Sequence, residues 1–427
     1  MGFDAMSYLL GRKLQHQRDT HSIYGFRIDG GESDPSEAVT YLADAVGLTP
    51  AHMDFANDVF DWGSWANAFF LPRPCMLKYD GTVDYYLDPE DYSKKADGTA
   101  SDVANAAYGG NAMMEWGRDG KRIWYKIVPD SEDHTSARIY IADYRADADY
   151  RAWSFVNNQG ILTEHFYTPI YNGSLDSAGR LRSLSGVANS ALCQNKTSDE
   201  EVAAAERNNP GEDKLWYTEV YADVTLISLL LILLSKSLDS QTAFGKGRCS
   251  RTSSAANMLA TGTMNGKGAF WGSSSANYGV KVFGMENWWG NQWRRYAGHC
   301  MVNYVQKYKL TRGAQDGSAA EDYIQSIVGS DYDGYLIGTN GPAENEFIKR
   351  MLFTRHIFQV KEVGGADSAS YWCDLWNQGD GVRYARRGGA CDITEAGRIG
   401  AFQSRLSAAS NYAAWDVGVA LSCKPLA

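Results

Sequence analysis

Paired metal-ligand spacings are missing from this chain. Its seven cysteines, at 75, 193, 249, 300, 373, 391 and 423, contain no C-x-x-C and are odd in number. A zinc ribbon or disulfide framework is therefore not expected, and reduced, mostly buried thiols are. Cys391 and Cys423 edge one C-terminal segment and are the pair expected to lie closest. The histidines, at 16, 21, 52, 134, 165, 299 and 356, show neither H-x-x-x-H nor H-E-x-x-H spacing, which argues against a zincin site. There is no G-x-S-x-G elbow, although a triad scattered through the sequence stays open. Gly245-Lys-Gly and Gly266-Lys-Gly lack P-loop spacing and read as turns. No metal or other cofactor is expected.

Positive charge is also in short supply. The formal net charge is -10 and the pI is near 5.3. Sequence-independent nucleic-acid binding needs a cationic footprint, and so does an electrostatic membrane anchor. Neither partner is expected. The longest apolar run, Val224 to Leu234, is too short for a bilayer, which takes about 20 residues. Its polar flanks predict a buried helix over 220–238. The first residues lack a basic start followed by an apolar run, so no Sec signal is expected.

What is abundant is aromatic and glycine. The 427 residues include 26 Tyr, 13 Trp and 43 Gly against 10 Pro. These suit short strands, tight turns and aromatic contact surfaces, not a long-helix bundle. The length predicts two or three domains. Residues 1–20 read as an N-terminal arm, 21–109 as a small β-rich domain and 110–427 as the main domain. Tyr24–Ile28, Arg122–Val128 and Ala137–Ile141 alternate like half-buried strands. Met76–Tyr79 and Val83–Leu87 flank Asp80-Gly81 as a hairpin. Helices are predicted over 35–46 and 199–208, and an exposed loop or linker over 88–102. Long loops are expected beyond 244.

Two segments carry the functional reading. Glu286-Asn-Trp-Trp-Gly-Asn-Gln-Trp293 packs three tryptophans into six positions. It is a core cluster on one reading and a sugar-stacking platform on another, and the core reading is preferred. The last fifty residues set polar side chains into a frame of Gly, Ala, Phe, Leu, Trp and Cys. Tyr384, Arg386, Arg387, Asp392, Thr394, Arg398, Ser404, Arg405, Asn411, Tyr412 and Asp416 are the candidate ligand-binding residues. Phe402, Leu406, Trp415 and Val417 are the expected apolar anchors. No nucleophile or metal pattern organises the polar set, so binding is expected before chemistry.

Three motifs in order also carry a family resemblance. Val282-Phe-Gly-Met-Glu-Asn-Trp-Trp-Gly-Asn-Gln-Trp293 resembles the G-N-V-W-E-W segment of the formylglycine-generating type of C-type lectin fold. Arg387-Gly-Gly389 resembles its R-G-G. Trp415-Asp-Val-Gly418 resembles the closing W-x-x-G of the variable proteins of diversity-generating retroelements. The resemblance covers about residues 110–427. It implies an α+β, loop-rich C-type lectin fold preceded by the β-rich N-terminal domain, with a variable region over about 376–423.

The resemblance implies a non-enzymatic, phage tail adhesin that displays a diversified surface for host attachment. Its implied partners are a host-cell surface protein or glycan, other virion tail proteins and further copies of itself, a trimer among the options. The implied location is a virion tail or a bacterial surface. Template-adenine mutagenesis in that family is compatible with the residues at the polar positions and incompatible with Glu395, Gln403 and Trp415. The oxidase branch needs a cysteine pair near R-G-G, and Cys391 has no near second cysteine in sequence. A calcium-dependent surface lectin is the third reading, and no E-P-N, Q-P-D or W-N-D motif is present.

Overall fold

The computed structural model describes residues 21–157, 159–211, 215–310, 346–393 and 399–425. Strands make up 34% and helices 11%, so the fold is mostly β, loop-rich and built from curled sheets. The arm expected over 1–20 lies outside the described residues, as do Thr394 and Arg398.

At the centre is the Tyr221–Ser235 helix, buried from Tyr221 to Leu234. A helix that is apolar on every side must be surrounded, and this one is. It ends where Lys236 adopts a left-handed φ of 53°. Ala51 N–H donates to the Leu234 carbonyl, and the Tyr41 hydroxyl donates to the Leu233 carbonyl, so the N-terminal segment covers its last turn. The Ser198–Glu206 helix is shorter and starts at a capping box between Thr197 and Glu200. No helix among the described residues is long and apolar enough to cross a membrane.

Three larger sheets wrap this centre. The first is antiparallel, in the order Val39–Ala43, Ile23–Ile28, Ala137–Ala142, Trp124–Pro129. The second runs Trp216–Thr218, Leu421–Cys423, Phe166–Pro169, Gly110–Trp116, Arg73–Lys78, Val83–Tyr86. The third begins Val305–Tyr308, Trp293–Val302, Val382–Arg387, Ser404–Ala408 and continues through Leu375–Gln378, Glu346–Phe353 and Phe358–Gly365. Val417–Val419 adds to it in parallel against Trp293–Val302.

The strands read from alternation form, and so does the Asp80-Gly81 hairpin, with Gly81 at a φ of 82°. The helix expected over 35–46 does not. There the chain turns at Asp34–Ser36 and enters the Val39–Ala43 strand, burying Val39 and Tyr41 and exposing Thr40. That period of two wins because Leu42 pairs with Gly25 and Tyr41 with Phe26.

The expected division at 109/110 needs correction as well. Arg73–Lys78 pairs residue for residue with Gly110–Trp116, which pairs with Phe166–Pro169, where Tyr167 faces Cys423. The two sides of that boundary therefore share a sheet, and one apolar cluster runs from Phe26 to Leu406. Residues 88–102 form a mostly exposed loop anchored by the fully buried Tyr92. Asp88, Asp91 and Asp97 each accept the backbone N–H two residues on, and Leu87 bridges to Lys95.

All seven cysteines are buried and unbridged. Cys391 packs with Leu192 and Met258, whereas Cys423 shares a different cluster with Cys75. The expected closeness of Cys391 and Cys423 gives way to the sheet, which draws Cys423 toward Tyr167 and Trp216.

Beneath the third sheet lies a buried polar network. His299 pairs its ring nitrogens with Tyr296 Oη at 2.9 Å and Gln306 Oε1 at 3.0 Å. Burial pushes its pKa down to about 3. An imidazole depressed below its unfolded value of 6.5 contributes stability above that value and loses it as the pH falls toward 3. Denaturant unfolding followed from pH 8 to pH 3 is expected to show this decline, and His299→Gln to show a shallower one. Equal slopes in the two proteins would remove His299 as the cause.

Candidate functional site

The tryptophan motif, the R-G-G and the W-x-x-G meet in space. Trp288, Trp289 and Trp293 are all buried, which supports the core reading. The tight turns before and between them use left-handed Asn287, Gly290 and Asn291. Gly290 N–H donates to the Gly388 carbonyl at 2.7 Å. A Cβ on Gly388 would stand 3.0 Å from the Trp288 carbonyl oxygen, so glycine permits the close approach. Trp293 N–H donates to the Asp416 carbonyl at 2.8 Å and Cys391 N–H to the Asn291 carbonyl at 3.1 Å.

Arg387 fastens this junction. Its guanidinium lies 3.4 Å from the Trp288 ring centroid. It donates to the Trp288 carbonyl at 2.7 Å and to both Glu219 oxygens at 2.9 and 3.0 Å. Arg294 reaches the same Glu219 at 3.2 Å and also donates to Asn172 and the Glu286 carbonyl. Burial pushes the Arg387 pKa down to about 10, against the opposing pull of Glu219. Arg387 is 1% exposed, so it is an internal tie and not a displayed side chain.

The opposite face of the same strands carries the polar patch. Arg386 lies across from Arg295 on one side and Arg405 on the other, so three arginines form a row over three strands. The guanidinia of Arg386 and Arg405 each lie 5.3 Å from the Trp293 ring centroid. Arg386 also lies 4.7 Å from the Tyr412 ring. Arg295 is held by Glu201 and by the Tyr412 carbonyl at 2.8 Å. Asp416 stands at the edge of this group, and Asp392 accepts from the Ser253 hydroxyl at 3.2 Å.

The electrostatics follow from partial burial. Burial lowers the pKa of Arg386, opposed by Tyr412 and Asp416. Burial and then the neighbouring Arg386 lower that of Arg405. Burial and then Asp392 raise that of Asp416. Like charges are thus crowded in pairs, with opposite signs between the pairs. Such a recessed patch of mixed sign suits hydrogen bonding and ring contacts to a partner. No cluster of three or more metal-binding side chains occurs among the described residues.

The predicted set therefore divides. Arg386, Arg405, Tyr412 and Asp416 gather around Trp293, with Asn411 exposed beside Tyr412 and Asp392 close enough to act on Asp416. Tyr384 is 4% exposed and packs against Cys300 and Val302. Ser404 pairs with Arg387 and faces inward, 3.5 Å from Tyr296 Oη. A strand alternates its faces, and that places Arg387 and Ser404 on the inner one. Of the anchors, Phe402, Leu406 and Val417 are buried, while Trp415 is half-buried against the cluster of Leu192, Met258 and Cys391. Trp293, read from the sequence only as part of the tryptophan cluster, and Arg295 and Glu201 were not among the candidate ligand-binding residues. The first two are two residues apart in a strand, a spacing that puts them on one face.

Comparison with known protein families and with curated proteins finds no match for this chain. The geometry of the patch and its frame is thus what bears on function.

The two faces predict opposite mutational outcomes. Arg387→Ala is expected to cost about 3–5 kcal/mol, because it leaves the buried Glu219 with Arg294 as its one remaining cation among the described residues and removes the Trp288 contact. Arg405→Ala on the outer face is expected to cost about 1 kcal/mol or less. Equilibrium unfolding of both variants checks the contrast.

Proposed function

We propose that this protein is a ligand-binding protein displaying a variable surface on a C-type lectin scaffold of the formylglycine-generating type. The observation that carries the reading is the separation of roles on adjacent strands. Arg387 and Arg294 lock the frame from inside, while Arg405, Tyr412 and Asp416 sit on the other face around Arg386, which is itself only 5% exposed. Exchange on the outer face leaves the inner ties in place. The meeting of the three motif segments supports the scaffold assignment.

The phage tail adhesin role, attachment to a host-cell protein or glycan, and assembly with other copies follow from the resemblance and form part of this proposal. Arg and Tyr are the residue types that most often dominate binding energy. A handful of such contacts gives about micromolar affinity, near -8 kcal/mol. Simultaneous engagement by several copies raises avidity by roughly a hundredfold or more. The oxidase reading is not favoured by the packing, because Cys391 lies in the apolar cluster of Leu192 and Met258 whereas Cys249, whose neighbour Arg251 donates its N–H to the Cys391 carbonyl, lies in the main apolar cluster.

Replacing the residues at 392, 405, 411, 412 and 416 as a set is expected to change which target cells or proteins are bound. The melting temperature is expected to stay within about 4 °C of the parent. Loss of folding in most such sets would overturn the reading. In the encoding genome, a near-copy of the DNA for residues 376–423, with adenines at the variable codons and a reverse transcriptase alongside, is expected.

A further inference from the structure

A second concavity lies among described residues of the N-terminal and tryptophan-motif segments. It has a volume of about 500 Å³, within the range of small-molecule sites. Its floor is Phe270 and Phe283, both buried, and Leu71 and Pro72 contribute to its lining. Trp62 meets Phe60 and Phe270 edge-on, with centroids 5.0 and 5.3 Å apart, yet stays half-buried. Part of an indole held in a fixed pose therefore lines an open cleft.

The walls are tied together before any ligand arrives. Asp58 accepts from Trp271 Nε1 at 2.7 Å and from Lys267 Nζ at 2.8 Å. On the other side, Tyr92 N–H donates to the Asn265 carbonyl at 3.2 Å. These bonds join residues 58–62 and 88–92 to residues 265–271, so the cleft is preformed.

Its charges decide the ligand class. Arg73 lies 4.4 Å from the Tyr86 ring centroid and is ion-paired with Glu115 at 2.6 Å. Arg118 is paired with Asp119 at 3.3 Å, and the exposed Glu90 adds an acceptor to the lining. Each lining cation thus has a carboxylate partner, and an anionic ligand would have to compete with it. A purely apolar ligand would leave the polar rim without a role. A neutral ring with one apolar face and a hydroxyl edge satisfies both, because its C–H face packs on the indole while its hydroxyls bond to carboxylate and guanidinium.

From this arrangement we propose that the cleft lined by Trp62, Tyr86, Glu90 and Phe270 binds a neutral pyranose. It is a site distinct from the patch around Trp293, and its test does not depend on that patch.

The probes are the methyl pyranosides of glucose, galactose, mannose and N-acetylglucosamine, titrated into the full chain and followed by ligand-observed NMR and tryptophan fluorescence. At least one is expected to bind saturably, at about millimolar affinity for a single ring. Trp62→Ala is expected to weaken it about tenfold and Glu90→Gln several-fold, while Tyr412→Ala leaves it unchanged. Ala96→Trp, at an exposed lining position, is expected to block binding with little change in melting temperature. That variant and Glu90→Gln keep the test intact if Trp62→Ala fails to fold. Three results would overturn the proposal. They are no saturable response to any probe up to about 50 mM, tighter binding of benzoate or indole than of every pyranoside, or binding indifferent to both Glu90→Gln and Ala96→Trp.

Discussion

The buried contact of Arg387 and Arg294 with Glu219 holds together the parts of the structure on which everything else rests. Glu219 stands just before the central helix. Its N–H donates to the Ala420 carbonyl, and its own carbonyl accepts from Ala297. Arg387 brings in the R-G-G strand and Arg294 the strand that begins at Trp293. Between its carboxylate and its backbone, Glu219 therefore ties its own segment to the R-G-G strand, the Trp293–Val302 strand and the chain at Ala420. Two cations on one buried anion are costly to desolvate, and the cost is offset in part by further donors that reach Trp288, Glu286 and Asn172, although the Nε of each arginine is buried without a partner among the described residues.

The strand register creates the functional asymmetry. With Arg387 and Ser404 inside, Arg386 and Arg405 are on the opposite face by the pleat alone. Trp293 links the two sides, with its backbone bonded to Asp416 and its ring beneath two guanidinia. The outer face inherits a fixed floor from a core built for another reason. The cleft at Trp62 follows a related logic, since its floor of Phe270 and Phe283 belongs to the main apolar cluster.

Much of the local architecture was legible in the sequence. The alternation at 23–28, 122–128 and 137–141, the Asp-Gly turn and the apolar run at 224–234 each reflect an interaction among near neighbours. The helix predicted over 35–46 failed for a long-range reason. Val39 and Tyr41 are buried as alternate residues only because Ile23–Ile28 offers them a strand to pair with. The boundary at 109/110 failed in the same way, because the hydrogen bonds that erase it join residues dozens of positions apart.

The sequence by itself determined the kinds of residue available near the C-terminus, the absence of paired metal-ligand spacings and the tryptophan cluster that forms the core. Only the tertiary structure decided which face of the sheet, and so which partners, each C-terminal polar residue has. Arg386 and Arg387 are neighbours of identical chemistry, and composition cannot rank them. The carboxylate that claims Arg387 comes from residue 219, and the indole beneath Arg386 comes from residue 293. Those partners are remote in the chain and meet only when the sheet closes over the helix.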